Sequence, residues 1–151
     1  QNLSAMPLLA RHYGEMVSPS AVTVVGPDAE SGQWAKMVAG EMGAPYIVLE
    51  KERLGDRDVR VKGELALRGR TALLVDDMVS TGKTLVEVIT RLRKNGVRRI
   101  DALVTHALLV EGAEEKMRGA GLCELICSDT VTGIGARVSV APILAKALSS
   151  H

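Results

Sequence analysis

The sequence predicts an α/β domain built on a mainly parallel sheet. Three observations carry this. Short apolar runs rich in β-branched residues recur along the chain. Between them lie segments with helical apolar spacing, clearest where Leu85, Val88, Ile89 and Leu92 recur at i, i+3, i+4 and i+7. Glycine, proline or acidic residues close the runs, and buried strands alternating with helices indicate a parallel sheet.

The elements follow in order. Residues 2–13 form a helix-like opening, with Pro7 near a first turn that tolerates it. Residues 21–25 (AVTVV) are a buried strand ended by Gly26-Pro27. Residues 31–42 are a helix with Trp34, Met37, Val38 and Met42 on one face and Gly43 as its stop. Residues 45–49 (PYIVL) are a second strand. Residues 50–70 are crowded with charge and read as a long loop or hairpin facing solvent. Residues 71–75 (TALLV) are a strand, and the amphipathic helix after it stops at Asn95-Gly96. Residues 101–106 are a strand, 111–118 a short helix and 124–127 a strand. Residues 137–141 form a last short strand, and 142–148 a terminal helix.

Composition limits the function. With 151 residues and 16.1 kDa the chain is one domain. A domain of this length buries roughly 70% of its unfolded surface, enough for a core without metal or disulfide. Hydrophobic residues are 46% and charged residues 25%, as in soluble proteins. A net charge of +1 gives no general attraction to nucleic acid or anionic membrane, and 2% aromatic content leaves no stacking platform for single strands. No apolar run is long enough to span a bilayer. Cys123 and Cys127 are too close on an extended segment for a good disulfide and lack partners for zinc, so they read as free thiols of a reducing compartment.

In an open parallel sheet, ligands bind past the carboxyl ends of the strands. The richest such end is TALLVDDMVSTGKT, residues 71–84. An apolar strand meets two carboxylates, Asp76 and Asp77. A loop of Ser80, Thr81, Gly82, Lys83 and Thr84 follows and opens the amphipathic helix. Gly82 lets backbone approach an anion, the hydroxyls donate, and the new helix offers unpaired N–H groups. Gly82-Lys83-Thr84 is not a nucleotide-triphosphate P-loop, because Asp77 stands where that pattern needs glycine. Acids beside a phosphate cradle suit a sugar phosphate: carboxylates take the hydroxyls and the loop takes the phosphate. A receiver-type signalling domain fits less well, since its acid pair follows the first strand. A plain solvated turn would need none of this string.

VDDMVSTGKT resembles the phosphoribosyl pyrophosphate (PRPP) motif of the phosphoribosyltransferase fold. NLSAMPLLARHY, VVGPD, LEKERL, DDMVSTGKT, VTHALL and SDTV, in that order, resemble the C-terminal half of ribose-phosphate pyrophosphokinases. The resemblance runs from about residue 2 to 148. It implies a type I-like phosphoribosyltransferase fold in three layers, with helices on both faces of the sheet. It also implies transfer of the diphosphoryl group of ATP to ribose 5-phosphate, giving PRPP and AMP with Mg²⁺, in a cytoplasmic homo-oligomer that binds neither nucleic acid nor membrane.

By the same resemblance, Asp76 and Asp77 hold the ribose hydroxyls, and Ser80, Thr81, Gly82, Lys83 and Thr84 bind the 5-phosphate. Asp28 is associated with Mg²⁺ at the pyrophosphate loop. Lys51 and Arg53 are the basic pair of a catalytic loop; alternating on extended chain, they can face one ligand. His106, Ser128, Asp129 and Thr130 also lie at strand ends, without an assigned role. The family's glycine pair after the aspartate is replaced by Ala29-Glu30-Ser31, which brings an extra negative charge to that loop. The family's N-terminal, ATP-binding half is not in this sequence, which begins with Gln1, so a fragment without turnover of its own is expected. Two other functions compete: a non-catalytic regulatory subunit of such an enzyme, and a stand-alone phosphoribosyltransferase. Lys51 and Arg53 count against the first, and the lack of a base-recognising hood against the second.

Overall fold

The structure, a computed structural model, describes residues 3–49, 67–133 and 135–149. In chain order the elements are α1 (Met6–Gly14), β1 (Val22–Gly26), α2 (Gly32–Met42), β2 (Tyr46–Val48), β3 (Thr71–Val79), α3 (Lys83–Lys94), β4 (Arg99–Ala107), α4 (Ala113–Ala120), β5 (Glu124–Ser128), β6 (Ala136–Val138) and α5 (Ala141–Ser149). The six strands form one sheet in the order β2-β1-β3-β4-β5-β6, and every neighbouring pair is parallel.

Period-two alternation sorts the strand residues onto two cores. Val22, Val24, Leu73, Val75, Leu103 and Ile126 face α1 and α2. Val25, Ala72, Leu74, Ile100, Ala102, Val104, Leu125 and Cys127 face the other way, onto Leu85, Val88, Ile89 and Leu92 of α3 and Met117 of α4. This is the expected three-layer arrangement. It explains why the strands read as unbroken apolar runs: both faces are covered.

Several boundaries move for physical reasons. β3 does not end at Val75. β4 runs alongside it as far as Ala107, with Asp76 opposite Val104, Met78 opposite His106 and Val79 opposite Ala107, so both acids lie within the strand. α1 starts only at Met6, whose N–H donates to Ser4 Oγ at 3.2 Å. On α2 the core face is Ala35, Val38, Ala39 and Met42. Trp34 is half-buried and Met37 is exposed, so the bulky residues flank the buried stripe rather than fill it. α4 begins at Ala113 rather than at residue 111, β6 stops at Val138, and α5 runs a residue further at each end than the spacing predicts.

The charged stretch also departs from expectation in its described part. Leu67 is fully buried in the α3-side core, and the Arg70 guanidinium donates to Ser20 O at 2.8 Å. The return into β3 is therefore anchored, not a solvated loop end. The two thiols are free, and burial, more than the nearby Glu114 charge, pushes Cys127 up to about 12. Among the described residues no helix is long and apolar enough to cross a membrane.

Candidate functional site

β1 leads to β2 on one side of the sheet, and the next strand, β3, lies on the other side of β1. The order therefore reverses between β1 and β3, a switch point beyond whose carboxyl ends open α/β sheets bind ligands in a crevice. One wall carries the loop after β1, with Asp28. The other carries the end of β3, with Asp76 and Asp77, and the loop from Ser80 to Gly82.

The loop into α3 is shaped for close approach. Gly82 is buried and adopts φ +70, in the left-handed region that side chains avoid. A Cβ on it would lie 3.2 Å from both Cγ and Sδ of Met117. Gly82 is the N-cap of α3, and no side chain caps it; the nearest candidate is the loose 3.5 Å approach of Lys83 N–H to Thr81 Oγ1. The first-turn N–H groups are thus left for a ligand, at the positive end of the helix dipole. Ser80, Thr81, Lys83 and Thr84 are all exposed around them. The chain after β4 braces the loop: Leu108 N–H donates to Val79 O at 2.9 Å, and Val110 N–H to Ser80 O at 3.2 Å.

The acids form a mutually repelling group. Asp77 N–H donates to Asp76 Oδ1 at 2.9 Å. Burial pushes the Asp76 carboxyl up to about 7, and the charges of Asp28 and Asp77 add to the rise, only partly offset by the Asp77 N–H. Asp28, far away in sequence, is thus within the electric reach of Asp76. That is a consequence of the strand reversal.

The loop after β1 compensates for its missing glycine pair. Ser31, almost fully buried, donates from Oγ to Asp28 O at 2.7 Å and accepts from Asp28 N–H at 3.0 Å. Its own N–H donates to Asp28 Oδ1 at 2.9 Å. These reciprocal bonds close the turn, and none of residues 28–31 takes a positive φ. Gly26 makes room for the serine, since a Cβ there would meet Ser31 Oγ at 3.0 Å. Glu30 is exposed, so its charge faces solvent. The Asp-x-x-Ser spacing signals this closure in the sequence, but attention to the absent glycines hides it.

Lys51 and Arg53 lie outside the described residues. Of the other strand-end residues, Asp129 is structural: its Oδ1 accepts the Val140 N–H at 2.8 Å, and hydrogen bonds from Ser139 and Val140 hold its carboxyl below the ordinary range. His106, Ser128 and Thr130 form a connected group at the ends of β4 and β5.

Among the described residues no three His, Cys, Asp or Glu side chains are grouped to hold a metal by themselves. What the crevice offers is separate carboxylates beside an anion cradle. That donor set suits a hard cation which keeps its waters and takes most ligands from substrate phosphates.

Known proteins resemble the chain as a whole. Residues 4–134 match the phosphoribosyl transferase domain. A ribose-phosphate pyrophosphokinase of Methanopyrus kandleri is 38% identical over 151 residues, covering 99% of this chain and 52% of the relative. Ribose-phosphate pyrophosphokinase 2 of Archaeoglobus fulgidus is 33% identical over 147 residues, covering 97% and 53%. The chain spans about half the length of the curated relatives it matches. The crystal structure of phosphoribosylpyrophosphate synthetase from Mycobacterium smegmatis superposes with a TM-score of 0.78 at 26% identity, over 97% of this chain and 50% of that one. Orotate phosphoribosyltransferase from Aeropyrum pernix superposes less well, with a TM-score of 0.57 at 25% identity, over 97% of this chain and 75% of that one.

Proposed function

The chain belongs to the phosphoribosyl transferase domain family, and from that premise we propose that it is the ribose 5-phosphate-binding half of a ribose-phosphate pyrophosphokinase. The reaction is the transfer of the β,γ-diphosphoryl group of ATP to the 1-hydroxyl of ribose 5-phosphate, giving AMP and PRPP. One observation carries the sugar-phosphate part: an uncapped helix N-terminus with an open Ser/Thr loop, set directly after two carboxylates at the sheet's switch point. The likeness to ribose-phosphate pyrophosphokinases over nearly the whole chain carries the choice of reaction.

In this reading the first-turn N–H groups of α3 and the hydroxyls of Ser80, Thr81 and Thr84 hold the 5-phosphate, with the Lys83 charge alongside. Asp77 and Asp76 accept hydrogen bonds from ribose hydroxyls. Donors arriving there replace the water that burial takes from Asp76, the main cause of its raised pKa. Asp28 keeps one oxygen on Ser31 N–H, which leaves its other oxygen for a ligand. Together with the substrate's phosphates it would hold Mg²⁺, which supplies neutralisation of diphosphoryl charge when bound. Lys51 and Arg53, by family resemblance, supply cations where charge develops during transfer. The adenine contacts belong to chain that the relatives have and this sequence does not include, and to neighbouring copies in a homo-oligomer. The chain alone is expected to bind ribose 5-phosphate without turning it over.

Calorimetric titration tests this. Ribose 5-phosphate should bind the 151-residue chain, and Asp77→Asn or Thr81→Ala should weaken binding by about tenfold or more. Absent ribose 5-phosphate binding, with PRPP consumed in the presence of a nucleobase, would refute the proposal in favour of a base-transferring enzyme. ATP-dependent PRPP formation by the chain alone would refute its dependence on a second half.

A further inference from the structure

The end of β4 carries an imidazole that no role above uses. His106 stands directly opposite Met78 across the β3–β4 pairing, and Met78 lies two residues before Ser80, where the phosphate loop starts. The ring is exposed, but it is not loose. Its Nδ1 is 2.8 Å from Thr130 Oγ1. Thr130 is held in turn: Oγ1 lies 3.0 Å from Thr105 O and 2.9 Å from Ser128 Oγ. Ser128 is fully buried and donates to Thr105 O at 2.6 Å. Two side chains at the end of β5, braced on the Thr105 carbonyl of β4, thus orient one exposed ring at the carboxyl end of the sheet.

Hydrogen-bond bookkeeping shows what that ring can do. The Ser128 proton is committed to Thr105 O, because a carbonyl only accepts. Thr130 has one proton and free lone pairs. It can accept from Nδ1–H while donating to Thr105 O, or it can donate to a bare Nδ1. The hydroxyl therefore holds the ring in every protonation state. In each case Nε2 is the unused nitrogen, and with a proton it is a donor to an anion. An exposed apolar strand end needs no such clamp. Beside it, Met78, Leu108 and Val110 are exposed and offer no polar group that could compete for an anion.

We propose that His106 is a further ligand-binding residue of the sugar-phosphate site, donating from Nε2 to the phosphate held by the Ser80–Thr84 loop, and that Thr130, backed by Ser128, is its positioning residue. This rests on the proposed ribose 5-phosphate site and adds to it a contact from the neighbouring strand. The acids of β3 and the phosphate loop then bind the ligand from one strand, and the imidazole closes on it from the next.

The chain has three histidines, so their Hε1 proton resonances can be resolved and assigned by substitution. Titration with ribose 5-phosphate, and separately with inorganic phosphate, should move the His106 line and leave His12 in place. His106→Ala should weaken ribose 5-phosphate about tenfold by calorimetry. Thr130→Val should weaken it several-fold and broaden or shift the free His106 line, and Thr130→Ser should restore both. A wild-type chain that binds no ribose 5-phosphate overturns this proposal together with the site itself. Binding that is unchanged in His106→Ala, with an unmoved His106 resonance, overturns this proposal alone. A line moved by ribose 5-phosphate but not by inorganic phosphate overturns the phosphate contact, and undiminished binding in Thr130→Val overturns the role of Thr130.

Discussion

Replacing Asp76 by Asn should stabilise the unliganded protein while damaging its ligand site. The structure keeps Asp76 partly buried beside two other acids, with its carboxyl pushed up from 3.8 to about 7. A group with a raised folded-state pKa contributes stability that is full below its unfolded value and is lost as pH rises through the folded one. Asp76 therefore costs stability progressively between about pH 4 and pH 7. Full conversion of a shift of about three units gives ~4 kcal/mol. Solvent reaches part of this carboxyl and screens it, so about half, ~2 kcal/mol, is the expected effect. For a domain of this length that is roughly 4–8 °C in Tm. Asn keeps an oxygen to accept the Asp77 N–H, so the backbone there need not move. Thermal unfolding with chelator present, near pH 5 and about pH 8.5, checks it. The variant should exceed the wild type only slightly at the lower pH and by the full margin at the higher one, while ribose 5-phosphate affinity falls. A difference in Tm that does not grow with pH would refute the reasoning, because the cost of burying the charged form beside other acids would then not reside in this carboxylate.

Other outcomes follow from single contacts. Gly82→Ala forces a side chain into the left-handed region and against Met117, which should cost about 1–2 kcal/mol by chemical denaturation and weaken phosphate binding as well. Tyr13 is fully buried, and its hydroxyl donates to Oδ2 of the buried Asp101 carboxylate at 2.6 Å, where Arg99 Nε also donates at 2.8 Å. Tyr13→Phe removes one of the two donors to a buried charge and should cost roughly 1.5–3 kcal/mol with an unchanged denaturant slope. Ser31→Ala empties the buried turn after β1 and should lower stability by about 1–2 kcal/mol, with the loss read in unliganded melts. Cys127, buried with its thiol pushed up to about 12, should stay inert to a thiol reagent near neutral pH until the protein unfolds, leaving Cys123 as the reactive one.

The sheet and the loop that opens α3, to which phosphate binding is proposed, are legible in the sequence because their determinants are local. Residues 71–84 carry strand, acids, hydroxyls, glycine and helix start in one contiguous string, and helical spacing in residues 85–92 names the buried face of α3 without outside help. Apolar runs identify strands buried on both faces. Trp34 and Met37 show where that reasoning fails: bulk and spacing suggest a core face, but the sheet accepts the small Ala35 and Ala39 and leaves the larger residues to the flank. The structure carries Lys51 and Arg53 no further than the sequence does, since both lie outside the described residues.

The sequence by itself determined the α/β class, the order of the elements and the Ser80–Thr84 turn into α3, since each depends on side chains within a few residues of one another. Only the tertiary structure decided what surrounds them. The reversal of strand order across β1 brings Asp28 to Asp76, and β4 pairing prolongs β3 through both acids. Ser31 takes over the corner expected to need glycine, and Thr130 reaches across from the end of β5 to hold His106. Those relations join residues distant in the chain through burial, Coulomb interaction and hydrogen bonds. Such forces act through space, so no window of sequence contains them until the sheet has formed.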